Sequence, residues 1–188
     1  RNVDLKKKNT FAYHIGNAKN KGLNPDEYYS LIKNEITDAY LICDVYKDYE
    51  EELFKSNAMD FDDLLLKTEQ LFRNYPNVLY HYASRYRYIN IDEFQDTTQI
   101  QLEIVRHLCS EHNNIFVVGD EDQSIYSWRG AEIKNILDFS CHFPNARHIK
   151  LEQNYRSTTP ILSAANNVIK HNLSRKEKVL WTAREGGE

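Results

Sequence analysis

Asp92 and Glu93 stand side by side at the end of a mostly apolar run, Tyr88-Ile89-Asn90-Ile91. The run reads as a buried β-strand ending in paired carboxylates. In open α/β sheets ligands bind just outside the carboxyl ends of the strands, and a strand-terminal Asp is a common holder of Mg²⁺ in phosphoryl transfer. One carboxylate can hold the metal, directly or through water, while the other orients and deprotonates an attacking water. The same pair could also be no more than a solvent-facing acidic turn. A second apolar run, Ile115-Phe116-Val117-Val118, leads into Gly119-Asp120 and then Glu121-Asp122-Gln123. Gln123 is no base, but its amide can donate to a phosphate oxygen and accept from water, which suits a sensor of a terminal phosphate. Tyr126 and Trp128 follow, with Arg129 beside them, and two such rings could form a platform for unpaired bases. Trp128 could equally plug a domain edge. In Asn154-Tyr155-Arg156-Ser157, Arg156 could reach a γ-phosphate and stabilise transition-state charge, and Tyr155 could stack on adenine. Ser157 or Thr158 could cap the following helix while Arg156 forms a structural ion pair, and both readings can hold together.

These residues need a sheet with helices between its strands. Strands are predicted near 87–92, 115–119 and 147–151, and helices near 98–111, 131–141 and 158–171. That alternation implies a parallel α/β sheet. Upstream, residues 9–56 read as helical. Asn24-Pro25-Asp26-Glu27 is a helix start, with an Asn cap, Pro in the first helical position and acids in the first turn. Ala39, Ile42, Cys43, Tyr46, Tyr49 and Leu53 recur at helical spacing as one apolar stripe. Asp60 is a candidate cap for a helix beginning in Met59-Asp60-Phe61-Asp62-Asp63, a reading favoured over a metal cluster of Asp60, Asp62 and Asp63. A further short helix is predicted from Val78 to Tyr86.

The 188 residues suffice for one substantial core or a core with an appendage. A net charge of −4 leaves no bulk basic footprint, so any nucleic acid must be bound in a local groove. Lys19 and Lys21 are candidates for phosphate contacts there. Aromatic rings give bases something to stack on, but most of the thirteen tyrosines are expected to be ordinary half-buried helix and core residues. Cys43, Cys109 and Cys141 are widely spaced with no C-x-x-C pair, which fits reduced thiols in a cytoplasmic protein. No apolar run is long enough to span a membrane. The chain begins with Arg1 and its only Met is Met59, which reads as a piece of a longer protein, with N-terminal processing as the other explanation.

Four motifs carry a resemblance. They are M-D-F-D-D-L at Met59–Leu64, D-E-F-Q-D-T at Asp92–Thr97, V-G-D-E-D-Q-S-I-Y-S-W-R-G-A at Val118–Ala131 and L-E-Q-N-Y-R-S-T at Leu151–Thr158. In this order and spacing the chain resembles the middle of a superfamily 1 DNA helicase of the UvrD, PcrA and Rep group, over almost its whole length. Asn17-Ala18-Lys19-Asn20 and Leu23-Asn24-Pro25 resemble the helical subdomain 1B more loosely. The resemblance implies a partial RecA-like, P-loop NTPase type sheet with flanking helices plus an N-terminal all-helical subdomain. Residues 1–57 would be 1B-like, 58–148 the C-terminal part of domain 1A, and 149–188 the start of domain 2A. It implies ATP and Mg²⁺ as cofactors, single-stranded DNA and single–double-strand junctions as partners, and movement from 3′ to 5′ in repair or replication. By motif, Asp92 corresponds to the Mg²⁺-associated residue, Glu93 to the general base and Gln123 to the γ-phosphate sensor. Tyr126 and Trp128 correspond to DNA-contacting aromatics and Arg129 to a link between the DNA platform and the ATP site. Tyr155 corresponds to the adenine-stacking residue and Arg156 to an arginine reaching the γ-phosphate.

The chain departs from that pattern in containing no G-x-x-x-x-G-K-[ST] phosphate loop. The family's later motifs are absent too. The segment alone is therefore expected neither to hydrolyse ATP nor to unwind DNA. A helicase subunit of a helicase–nuclease shares the same motifs. A non-catalytic module binding DNA or a partner is the rival from a different class, against which the intact Asp92, Glu93, Gln123 and Arg156 speak. A metal nuclease using Asp92, Asp96 and Asp120 is a third reading, with no nucleophile-positioning His or Lys nearby to support it.

Overall fold

The computed structural model describes residues 7–172, 176 and 178–186. Its first half is helical: α1 (Lys8–Asn20), α2 (Pro25–Ile32), α3 (Ala39–Lys55), α4 (Phe61–Asn74) and α5 (Pro76–Arg85). Local chemistry sets the starts of two of them. The Asn24 side chain accepts from the backbone N–H of Asp26 and Glu27 at 3.0 Å each, and Glu27 accepts in return from the Asn24 N–H at 2.9 Å. This is a capping box, with Pro25 where a missing N–H costs nothing. Asp60 caps α4 in the same way, accepting from Asp63 N–H at 2.8 Å. Capping is thus one role of Asp60 and Asp63, and no metal cluster of Asp60, Asp62 and Asp63 forms among the described residues.

The predicted stripe on α3 buries Ala39, Ile42, Cys43 and Tyr46 against Phe11, Ile15 and Ala18 of α1 and Tyr28 and Ile32 of α2. Helix α4 then packs on α1, α5 and α6 (Gln99–Cys109).

The second core lies under a small parallel sheet of β1 (Ile89–Ile91) and β2 (Ile115–Val117), with Ile89 opposite Ile115. Helix α6 connects the strands and buries Ile100, Leu102 and Cys109. Phe94 is fully buried edge-on to Phe139, with ring centroids 5.5 Å apart. The other face of the sheet is open, with Asn90 and Phe116 exposed.

Three expectations need correction. Ten of the thirteen tyrosines are exposed, Tyr40, Tyr88 and Tyr155 most of all, so most are not half-buried. The helix predicted over 131–141 is broken into α7 (Lys134–Leu137) and α8 (Phe139–His142), because Asp138 leaves helical geometry at φ −99°, ψ 18°. No strand forms over 147–151, where Ile149 and Leu151 are exposed. A strand needs a hydrogen-bonding neighbour, and among the described residues the nearest pairing is one isolated parallel bridge, Gln153 to Trp181. Helix α9 (Thr159–Ile169) follows where predicted.

Candidate nucleotide and single-strand DNA site

Two backbone hydrogen bonds fix the C-terminal ends of β1 and β2: Val118 N–H donates to Ile91 O at 2.8 Å and Phe94 N–H donates to Val118 O at 2.9 Å. Between them the chain must reverse within two residues. Glu93 takes a left-handed conformation, φ 50° and ψ 43°, which costs a non-glycine residue about 1–3 kcal/mol and is a mark of functional turns. Asp92 supports the turn by accepting from the Glu93 N–H at 2.9 Å. Both carboxylates are exposed at the strand end.

Gln95 is the residue that sequence reasoning missed. It is 1% exposed. Its Nε2 donates to Glu93 Oε2 at 2.7 Å, and its Oε1 accepts from the Asp120 N–H at 2.9 Å. One buried amide therefore holds the Glu93 carboxylate and the loop after β2. Gly119 permits this approach, since a Cβ there would lie 2.7 Å from Gln95 Oε1 and 2.8 Å from Ile136 Cδ1. The sequence signal was available: a polar side chain next to a buried aromatic, directly after paired carboxylates.

Asp120 continues the network. Its carboxylate accepts from Gln123 Nε2 at 2.8 Å and from Asp122 N–H at 3.0 Å, and it pairs with Lys178. Burial opposes its charge, but the hydrogen bonds from Lys178 and Gln123 outweigh that and hold its carboxyl below the usual carboxylate range. Glu93, Gln95, Asp120 and Gln123 are thus one connected unit.

The aromatic platform begins three residues beyond Gln123. The rings of Tyr126 and Trp128 lie 6.4 Å apart, and the Arg129 guanidinium sits 4.9 Å over Trp128 and 5.8 Å from Tyr126. Trp128 is 64% exposed, so it plugs no edge within the described residues and leaves apolar surface in solvent. Gly130 closes this loop at φ 87°, a conformation suited to glycine. Trp128 and Arg129 face α1 across an open groove of about 490 Å³, whose other wall carries Tyr13, Asn17, Asn20 and Asp62. Asn20 donates to Asp62 at 3.1 Å, and burial pushes the Asp62 carboxyl up.

Lys19 is not in that groove, which corrects its assignment to phosphate contacts. It is fully buried, with Nζ 2.7 Å from Glu50, 2.8 Å from Asp60 and 2.9 Å from Asp63. Burial alone would lower its pKa, but the three carboxylates raise it. Lys21 is exposed at the end of α1.

Tyr155 and Arg156 are exposed. Asn154 Oδ1 shapes their turn by accepting from Arg156 N–H at 2.9 Å and Ser157 N–H at 2.7 Å. Thr158 occupies the cap position of α9 without a side-chain cap bond. Arg156 forms no ion pair among the described residues, so the structural-pair alternative is not realised there. No hydrogen bond or ion pair among the described residues joins Tyr155 or Arg156 directly to Asp92, Glu93 or Gln123.

No group of three or more His, Cys, Asp or Glu side chains gathers as a metal site among the described residues, so Asp92, Asp96 and Asp120 do not form the nuclease-type cluster. Asp92 fits a narrower role. One of its oxygens supports the turn and the other accepts no hydrogen bond among the described residues, and Mg²⁺ characteristically takes one or two carboxylates with waters and phosphate oxygens completing its shell. No helix among the described residues is long and apolar enough to cross a membrane.

Comparison with known proteins agrees with the motif order. Residues 1–144 match the UvrD/REP helicase N-terminal domain and residues 149–188 match the UvrD-like helicase C-terminal domain. Across its whole length the chain is 46% identical to a protein of Staphylococcus epidermidis, and 47% identical to one of Staphylococcus aureus, each named ATP-dependent DNA helicase PcrA. It spans 26% of the length of those relatives. With more than half of its residues inside one family's domain, this chain belongs to the UvrD/REP helicase family.

Proposed function

We propose that this chain is the central segment of an ATP-dependent DNA helicase or translocase of the UvrD/PcrA type, which couples Mg-ATP hydrolysis to movement from 3′ to 5′ along single-stranded DNA. The observation that carries this reading is one hydrogen-bonded chain across two loops. Glu93 is tied through Gln95 and Asp120 to Gln123, and the same loop runs on into the Tyr126, Trp128 and Arg129 stack.

In this reading Glu93 takes the proton of the attacking water. Gln95 holds one of its oxygens and leaves the other for that water. Asp92 would hold Mg²⁺, which when bound would neutralise charge on the phosphates. Gln123 exchanges its bond to Asp120 for one to the terminal phosphate, and the change passes along the loop to the base-stacking rings. Tyr155 stacks on adenine, and Arg156 meets the γ-phosphate when the two RecA-like domains close. Residues 1–57 form the 1B-like subdomain, 58–148 the end of domain 1A and 149–188 the start of domain 2A. The complete protein works in the cytoplasm on single strands and junctions in repair or replication, and supplies the phosphate loop that this segment lacks.

The test is ATP hydrolysis by the complete protein, with and without single-stranded DNA, beside Glu93→Gln. Hydrolysis stimulated by DNA and reduced in the variant by at least about 100-fold is the expected result, the lower end of the usual loss on removing a general base. Hydrolysis untouched by the substitution would place the base elsewhere. No hydrolysis by well-folded protein would favour a non-catalytic binding module, and a nuclease activity residing in the same polypeptide would favour the helicase–nuclease relative.

A further inference from the structure

Lys178 lies outside every motif discussed above, yet its ammonium meets three consecutive acids on the sensor loop. It pairs with Asp120, and lies 3.4 Å from Asp122 and 3.6 Å from Glu121. Its side chain is 15% exposed. The neighbouring Lys176 N–H donates to Glu121 at 3.1 Å. On the other side, Val179 N–H donates to the Glu152 side chain at 3.4 Å, and Trp181 exchanges backbone bonds with Glu152 and Asn154 at 3.0 and 2.7 Å. Arg184 Nη1 then donates to the carbonyls of Tyr155 and Arg156 at 3.0 and 3.1 Å. Lys176 and Lys178 therefore bind the sensor loop, and Trp181 and Arg184 bind the Glu152–Arg156 segment.

We infer that Lys178 is a positioning residue that couples the turn bearing Tyr155 and Arg156 to the Glu93–Gln123 unit. This rests on the proposed function. Asp120 is the shared joint. One of its oxygens takes Lys178, the other takes Gln123, and its backbone N–H is held by Gln95, which holds Glu93. Three adjacent carboxylates repel one another. Without the ammonium among them, the loop relaxes, Asp120 shifts, and both the base and the sensor lose their common support. A movement of the Tyr155–Arg156 turn changes the pull on that joint, so the state of the cleft is passed to the sensor through an ion pair and not through phosphate contacts alone.

The experiment uses the complete protein with Lys178→Met, Lys178→Arg, Asp120→Asn and the Lys178→Met/Asp120→Asn pair. ATP hydrolysis is measured with and without a single-stranded oligonucleotide, alongside thermal stability. Lys178→Met is expected to lower the DNA-stimulated kcat about ten-fold, in the range of ordinary coupling between sites, with KM for ATP changed less than about two-fold. Lys178→Arg should restore most of it. The double variant should fall little below the worse single variant, since both remove one interaction. Should Lys178→Met fail to fold, Asp120→Asn with Lys178→Arg carries the same comparison. Full stimulation in Lys178→Met overturns the inference alone. So does a loss that tracks thermal stability and is not rescued by Arg. Absence of DNA-stimulated hydrolysis in the unaltered protein overturns the functional reading and this inference with it.

Discussion

Lys19 shows how far a residue's role depends on its surroundings. An ammonium with no solvent contact persists because Glu50, Asp60 and Asp63 all lie within 3 Å of it. Removing one partner from a buried ion cluster typically costs about 3–5 kcal/mol, because the remaining charges are left uncompensated. Lys19→Met is therefore expected to destabilise the protein by about 3 kcal/mol at neutral pH in urea unfolding. The pH dependence has a definite sign. In the unaltered protein burial opposes the Asp60 charge, but Lys19 and the Asp63 N–H lower its pKa, so its contribution is present above the ordinary carboxylate pKa and is lost as pH falls through the lowered value. In Lys19→Met, Lys67 still lies 3.6 Å from Glu50, but Asp60 and Asp63 lose their cation and gain from protonation, so the deficit should shrink as pH falls toward 4. A deficit constant from pH 7 to pH 4 would assign the loss to packing. The Cys109 thiol is a simpler case: burial pushes it up to about 11, leaving it a small apolar core residue at neutral pH.

At the scale of elements, the strand ends carry the site and the helices hold them in place. Strand β2 ends at Val117 and the loop passes Gln95 at Gly119 with no room to spare. Gly119→Ala forces a clash with Gln95 and Ile136, and overpacking of this kind costs about 1–3 kcal/mol. Because Gln95 is the group displaced, ATP hydrolysis in the complete protein should fall more than stability does. Unchanged hydrolysis would mean that Gln95 does not set the position of Glu93. The helix starts at Asn24 and Asp60 were legible in the sequence because capping boxes span four residues and need nothing further away. The strand expected over 147–151 was misread for the opposite reason. Its apolar residues fit a strand, but the pairing that makes one lies in other parts of a chain.

Across the whole molecule, Asp120 and Gln123 share the loop after β2 with the aromatic rings, Gln95 ties that loop to Glu93, and Trp128 and Arg129 face a groove walled by α1. If that groove holds single-stranded DNA, Trp128→Ala should weaken binding of a short oligonucleotide by about 1–3 kcal/mol, the usual contribution of one stacked base, with little dependence on sequence. Fluorescence anisotropy checks this, and unchanged affinity would remove Trp128 from the platform. The amino-acid sequence by itself determined the family, the order of the candidate site residues and the caps that start two helices, since each is written in a few neighbouring residues. Only the tertiary structure decided that Lys19 is a buried ion-pair centre, that Gln95 joins Glu93 to Asp120, and that Lys178 closes on the Asp120–Asp122 loop. The physical reason is separation along the chain. Lys19 and Asp60 are 41 residues apart, Gln95 and Asp120 are 25 apart, and Asp120 and Lys178 are 58 apart. A charge or an amide in a sequence does not name its partner, and folding alone brings the two within reach.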